Sequence, residues 1–489
     1  MISTSADLNK KPYIPKPFWV IWGIELWERF GFYGVQAILA MYFVKQLGYS
    51  EAESFYVFGS FSAFVFGFVW IGGWIGDNYF GAKRTILFGA IVLMLSYVAL
   101  ALASHQTVFY ALAGIVVGNA LFKANPSSLV SKMYEKGDPA LDSAMTLYYM
   151  AVNVGSMLSM ALTPVIAQHL GWTWAYGVCA FGLMLGIINY IAFHGLLTSL
   201  STGVGKQPLN VQRLLVLLIG SAAAIAVVAQ LLTHTVLCTW IVWIVVTTGF
   251  VYFLKIAFSL ESYSRNRMLV AFILLLEGVL FFVLYNQMPT SLTFFAAHNI
   301  NNQLWGWSIP PAEYQVLNPM VIVIASPILA WLYQRFHATH VTKFCIGMSL
   351  CAIGFLVLVL PQFTASSGLA SPWWMVLTYT FQSVGELLIS GLGLAMVAEL
   401  CPKAMSGYVM GMWYLTVMLA GPIGAWVGAM TAPPGYEQLT TIASMQLYGE
   451  VFFKLGLVTA ALAMLMWIAR PALNRLLARQ KIESSGDML

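Results

Sequence analysis

Apolar residues run along this chain in unbroken blocks of about 20 positions, separated by short polar connections. Strands would alternate polar and apolar positions, whereas unbroken blocks of this length cross a hydrocarbon core of about 30 Å as helices. The pattern predicts fourteen of them, near 18–44, 55–77, 85–104, 108–130, 143–167, 174–197, 212–232, 237–258, 268–296, 314–336, 341–361, 373–399, 408–430 and 449–470. The polar start, with Lys10, Lys11 and Lys16, leads into a first block of full membrane length, so no cleavable leader is expected.

The polar connections orient the chain. Of its 23 Lys and Arg residues, all but Lys45, Lys454, Arg29 and Lys123 fall on one side of the predicted spans. By the positive-inside rule that side is cytoplasmic and holds both termini, giving a multi-pass protein of the cytoplasmic (inner) membrane. Blocks seven and eight stand apart, because they hold no buried acidic residue and lie between the polar stretches "TGVGKQPLNVQR" and "LESYSRNR". Without them, six helices precede and six follow. The predicted fold is therefore all-α: an N-terminal six-helix bundle over 1–200, an inserted hairpin with linkers over 201–262, a C-terminal six-helix bundle over 263–475 and a cytoplasmic tail over 476–489. Two halves rocking about a midplane site make a transporter. The turn "GGWIGDNYFGAKR", through Asp77, Gly81, Lys83 and Arg84, resembles the loop signature of the major facilitator superfamily.

Composition narrows the class. Only 8% of the 489 residues are charged and 60% are hydrophobic, against about 25% charged in soluble domains. The basic surplus is topological, and no soluble basic domain suggests nucleic acid as a partner. Cys179, Cys238, Cys345, Cys351 and Cys401 lack disulfide or metal-ligand spacing and read as small core residues, so no metal is expected. The seven histidines are scattered, and neither HExxH nor GxSxG occurs, which argues against an enzyme. No pore-loop signature points to a channel.

The charges left inside the blocks carry the chemistry. They are Glu25, Glu28, Arg29, Lys123, Glu277 and Glu386, with Glu450 and Lys454 near the end of the last helix. Each costs about 2.5–3.5 kcal/mol at the centre of a span, so each needs a reason. Glu25, Glu28 and Arg29 share one helical face at i, i+3 and i+4. Counting about 1.5 Å per residue puts Lys123 at matching depth, so Lys123 is expected to pair with Glu25 or Glu28. A buried ion-pair network could simply pin two helices, but groups that change partner or take up a proton explain its cost better. Glu386 lies mid-helix in the second half beside Gly385, Gly391 and Gly393, read as a locally flexible stretch. A carboxylate on one wall facing Arg29 and Lys123 on the other complements a zwitterion: an amino acid, a short peptide or a betaine-like molecule. Tyr148, Tyr149, Asn153 and Asn318 are further candidates to line the cavity, and Pro164, Pro289, Pro319, Pro327 and Pro422 mark expected kinks.

These residues resemble a family. "ELWERFGFY" (25–33) is similar to the ExxERFxYY signature of the proton-coupled oligopeptide transporters, and "GNALFKANPSSLV", "LYYMAVNVGS", "QVLNP" and "QSVGELLIS" resemble its later signatures in order. The resemblance spans essentially the whole chain, inserted hairpin included. It implies uptake of di- and tripeptides together with protons, with no cofactor beyond the co-transported proton. By the same resemblance Glu25, Glu28, Arg29 and Lys123 couple the proton. Tyr33, Arg29, Lys123 and Asn153 meet the peptide's carboxyl half or backbone, and Asn318 and Glu386 hold its amino terminus. Gln36, Tyr148, Glu277, Asn286 and Ser390 are accessory candidates. The chain departs from the family pattern at Phe32 and Phe66, where tyrosines are common, at Asn286 in place of a glutamate and at Gly391 in place of a proline. Peptides, protons and membrane lipid are the expected partners of a monomeric carrier. The alternative is a proton-coupled carrier of another zwitterion or a small nitrate-like anion.

Overall fold

The computed structural model describes residues 13–135, 138, 140–201, 203–335, 338–402 and 405–478. Lys10, Lys11, Lys136, Lys403, Arg479, Lys481 and all but the first three residues of the expected tail lie outside them. The chain is a succession of helices: α1 Lys16–Lys45, α2 Glu51–Gly67, α3 Val69–Trp74, α4 Ala82–Ala101, α5 Val108–Lys123, α6 Asn125–Ser131, α7 Ala140–Leu170 and α8 Trp172–Ala192. Then follow α9 Val211–Thr233, α10 Thr235–Ser259, α11 Ser262–Tyr285, α12 Ser291–Asn299, α13 Leu317–Arg335, α14 His340–Val357, the short α15 Pro361–Thr364, α16 Trp373–Leu400, α17 Ser406–Ala429 and α18 Thr441–Ala478. Among the described residues, twelve helical segments are long and apolar enough to cross a membrane. Two further long helices, α1 and α16, carry the Glu25–Arg29 group and Glu386.

Several predicted blocks are split where local chemistry breaks the helix. The second runs as α2, α3 and a π-helical turn over Ile75–Tyr79, and the fourth divides at Ala124 just ahead of Pro126. The ninth breaks between α11 and α12 across the segment holding Pro289, which has no N–H to continue the ladder. Pro164, Pro327 and Pro422 lie inside helices as expected, with Pro471 as an addition. Pro319 lies in the first turn of α13, where a missing N–H costs no intrahelical bond. The fold is all-α as expected, with one short hairpin in a connection between helices. Gln303–Leu304 (β1) and Trp307–Ser308 (β2) pair antiparallel around Trp305 and Gly306, both at positive φ, as a two-residue hairpin turn requires.

Helices α1, α4, α5, α7 and α8 pack among themselves, as do α11, α14, α16 and α18, while α9, α10 and the span through α13 are the least buried of the twelve. Helix α2, packed on α1 and α5 of the first set, crosses α17, packed on α11 and α16 of the second. There Gly59 and Ala63 face Gly421 and Ala425, and a Cβ on either glycine would collide with the other's carbonyl oxygen. Small residues four apart on both helices let the backbones touch, which is how helices adhere in lipid.

The two ends of the molecule differ. At the end rich in Lys and Arg, Lys132 pairs with Asp77 at 3.1 Å, His340 with Glu399 at 2.8 Å, and Arg267 donates to the Glu399 carbonyl at 2.7 Å. At the opposite end Glu51 at the start of α2 meets His298 of α12 at 2.6 Å, with Phe55 against Phe294 beneath them. Glu450 and Lys454 form an exposed pair at 2.6 Å on α18. All five cysteines are buried and free.

Candidate functional site

The Glu25–Arg29 group sits where α1 meets α7. Gly155 of α7 faces the Leu26 carbonyl so closely that any side chain there would clash, and this contact encloses the charges. Glu25, Glu28 and Arg29 are each at most 3% exposed. The Arg29 guanidinium binds Glu28 through Nε, lies 3.5 Å from Glu25 and donates through Nη2 to Asn119 Oδ1 at 3.3 Å. Asn119 of α5 is itself fixed by donating to the Val65 carbonyl at 3.0 Å. The Arg29 charge also lies 5.2 Å from the centre of the Phe32 ring, a position where family members often have tyrosine. Tyr148 stands beside Glu25. Among the described residues, Glu25 Oε2, Glu28 Oε1 and Arg29 Nη1 have no hydrogen-bond partner. The network is compact yet incomplete.

Lys123 corrects the expected pairing. No carboxylate of the described residues lies within 4.0 Å of its ammonium, which instead rests 5.4 Å from the centre of the Phe66 ring. Arg29 already serves both glutamates and repels a second cation, so Lys123 is displaced onto an aromatic face. Sequence depth placed it at the right level but could not rank two competing cations.

The opposing carboxylate has a simpler setting. Asn318 in the first turn of α13 donates to Glu386 Oε2 at 2.6 Å and contacts the Ser383 hydroxyl at 3.0 Å. No cation of the described residues pairs with Glu386. Its helix is continuous, and Gly385 packs against Cys351 and Gly347 of α14. Gly393 likewise admits the Trp413 ring, while Gly391 faces open space. Gly385 and Gly393 set packing distance, a role Gly391 does not share.

Between the two charged walls stand tyrosines. Tyr33 feels both Arg29 and Glu386, and Tyr149 feels Glu386 and Tyr33 while remaining 42% exposed in mid-helix. Tyr285 borders the same space from α11, and Tyr414 of α17 lies within the field of Arg29 and Glu25. Neither of the last two was marked out by the sequence, because a lone tyrosine in an apolar helix carries no distinguishing signal.

The accessory candidates divide. Gln36 is buried on α1 and Ser390 half-buried on α16. Asn153 donates to the Tyr149 carbonyl of its own helix at 2.9 Å. Asn286 is spent on the Ala420 carbonyl at 3.1 Å, binding α11 to α17. Glu277 is buried with neither oxygen partnered among the described residues, and its neighbour is Cys345 rather than the Arg29 group. Among the described residues no group of three or more His, Cys, Asp or Glu could hold a metal. The arrangement offers a guanidinium and an ammonium on one wall and a carboxylate on the other, with hydroxyls between.

The family model described as PTR2, POT family, matches residues 83–442. The chain is 44% identical over 485 residues to dipeptide and tripeptide permease B of Aeromonas hydrophila, covering 97% of this chain and 96% of that one. It is 46% identical over 468 residues to dipeptide and tripeptide permease A of Escherichia coli K12, covering 94% and 93%. Among solved structures, tetrameric PepTSo2 superposes with a TM-score of 0.83 at 35% identity, over 94% of this chain and 99% of that one. A bacterial homologue of the human drug peptide transporters PepT1 and PepT2 gives a TM-score of 0.83 at 33% identity, over 95% and 100%. The chain thus belongs to the POT family of membrane proteins.

Proposed function

We propose that the protein is a proton-coupled symporter that imports di- and tripeptides by alternating access. What supports this reading is that Tyr33 lies in the fields of both Arg29 and Glu386, that Tyr149 lies in the field of Glu386, and that Glu386 has no cation partner among the described residues. The peptide carboxylate would meet Arg29 Nη1 and Lys123, Asn153 would face the backbone, and the peptide ammonium would meet Glu386 beside Asn318. Relatives named dipeptide and tripeptide permeases support that substrate class. Tyr33 would sit between the two ends.

Coupling follows from the crowded Arg29. A peptide carboxylate that draws this guanidinium away strips Glu25 or Glu28 of its counter-charge. An unpaired carboxylate away from water is costly, so a proton must take the cation's place. Import would then move one positive charge with each neutral peptide. A potential of about 100 mV contributes about 2.3 kcal/mol per charge, and each pH unit adds about 1.4 kcal/mol.

The architecture fits this cycle as a major facilitator fold of fourteen spans: bundles over 1–200 and 263–475 with a hairpin over 201–262. The Lys- and Arg-rich end with both termini would face the cytoplasm. The α2–α17 crossing and the Glu51–His298 pair would then close the outer side, leaving the site to communicate inward. Both charged walls come from one chain, so each chain would be a complete carrier.

The test is uptake of a labelled dipeptide into proteoliposomes with and without an inward proton gradient. Accumulation that a protonophore leaves unchanged would rule the reading out. A gradient-driven uptake of free amino acids or nitrate, with dipeptides ignored, would favour the other-substrate carrier.

A further inference from the structure

The hairpin α9–α10 leaves two lateral grooves against the rest of the molecule, and they differ in chemistry. One, of about 950 Å³, lies near the end opposite the Lys- and Arg-rich connections and is lined by Tyr56, Thr239, Trp240, Trp243 and Trp426 among others, with no charged residue. The second, of about 510 Å³, runs along α9 against α3 and α5, from Val216 and Tyr79 to Leu231. Its fifteen-residue length along α9 corresponds to about 22 Å, more than half of a hydrocarbon core of about 30 Å. Its lining is apolar apart from Ser221 and Tyr79.

Beyond the Tyr79 end of this second groove, outside its lining, two guanidinium groups converge on Gln207: Arg213 beside Tyr79, and Arg84 in a separate cleft with Gly81 and Gly205. Arg84 donates through Nη2 to the Gln207 carbonyl at 2.5 Å, and Arg213 donates through Nη1 to the Gln207 side-chain oxygen at 3.4 Å. Arg213 also reaches the Tyr79 carbonyl at 3.3 Å and lies 5.7 Å from the centre of its ring. Among the described residues neither arginine has a carboxylate partner, and the nearby Asp77 is occupied by Lys132. Two guanidinium groups beside an apolar channel complement a molecule with an anionic head and a hydrocarbon tail. We propose that this groove seats one anionic phospholipid, its phosphate between Arg84 and Arg213 and one acyl chain along α9. The lipid would then fill the groove beside a hairpin whose helices also pack directly, α9 on α5 and α10 on α17. A soluble anion would leave the channel unfilled, and a zwitterionic lipid would bring no net charge to the arginines.

Delipidated protein in nonionic detergent, titrated with phosphatidylglycerol or phosphatidylcholine of matched chains and read by native mass spectrometry, tests this. Near a surface each arginine contributes about 1 kcal/mol toward an anionic lipid, so the wild type should prefer phosphatidylglycerol by about tenfold or more. The double substitution Arg84→Gln, Arg213→Gln should bring the ratio close to one, while Arg84→Lys, Arg213→Lys should keep most of it. Ala224→Trp, which fills the channel, should weaken both lipids. A wild-type ratio near one, or an undiminished ratio in the glutamine variant, overturns the proposal. So does glycerol 3-phosphate binding as tightly as the whole lipid, which would mark a site for soluble anions. If the glutamine variant does not fold, the wild-type ratio and the lysine variant still decide.

Discussion

The two charged walls of the site solve the problem of burying charge in opposite ways. On the first, Arg29 is enclosed by two glutamates and Asn119, so three ionisable groups and an amide share one pocket. On the second, Glu386 has one hydrogen-bond partner among the described residues, the neutral Asn318, which also donates to Ser383. A network of opposed charges rearranges only if some other charge compensates. A carboxylate held by a neutral amide is ready for a cation without any partner leaving. Under the proposed function the first wall would serve coupling and the second recognition.

The strongest way to break this contrast is Arg29→Met. It leaves Glu25 and Glu28 buried without their cation, and losing one partner of a buried pair costs about 3–5 kcal/mol. The variant should lose both uptake and thermal stability, and a melting curve beside a transport assay reads both. Second in size come Glu25→Gln and Glu28→Gln, which keep the shape but remove one negative charge each. Accumulation against a gradient should vanish, whereas counterflow of labelled for unlabelled peptide should survive in at least one of them. Wild-type accumulation in both would reduce the first wall to a helix pin.

How far the sequence reached can be judged from these residues. Charges inside long apolar blocks are conspicuous, so Glu25, Glu28, Arg29, Lys123 and Glu386 were all legible, as was the helical architecture. Which charge touches which was not, because helical periodicity fixes a face and a depth but not the neighbour. Lys123 on Phe66 rather than on a glutamate is the plainest case. Asn119 and Ser383 were missed as partners because single polar residues in spans are common. The Gly59–Gly421 crossing was missed because the spacing of small residues shows only when both helices are aligned. The proline-split helices and the Trp305–Gly306 hairpin turn fell below the resolution of apolar-block counting.

The second wall is sharpened by Glu386→Gln, with a smaller effect than either change above. A hydrogen bond to a charged group contributes about 1.5–3 kcal/mol, so dipeptide affinity should fall by about ten- to a hundredfold. An N-acetylated dipeptide, which lacks the ammonium, should lose far less between wild type and variant. Equal losses for the two ligands in a competition-binding assay would remove Glu386 from recognition.

The smallest expected effect concerns Phe66, where the first wall borrows an aromatic face instead of a third carboxylate. The Lys123 ammonium lies 5.4 Å from that ring's centre, within the range at which a cation and a π-face attract by about 0.5–2 kcal/mol when shielded from water. Phe66→Leu keeps an apolar side chain but removes the quadrupole, so Lys123 loses its resting place while Arg29 keeps its partners. Peptide affinity should weaken severalfold, and stability should change less than in Arg29→Met. Phe66→Tyr retains the ring face and should stay near wild type, which separates the π-interaction from packing volume. The readout is dipeptide affinity for the two variants side by side. Should Leu and Tyr behave alike, the ring is only filler, and Lys123 takes its position from backbone geometry at the end of α5.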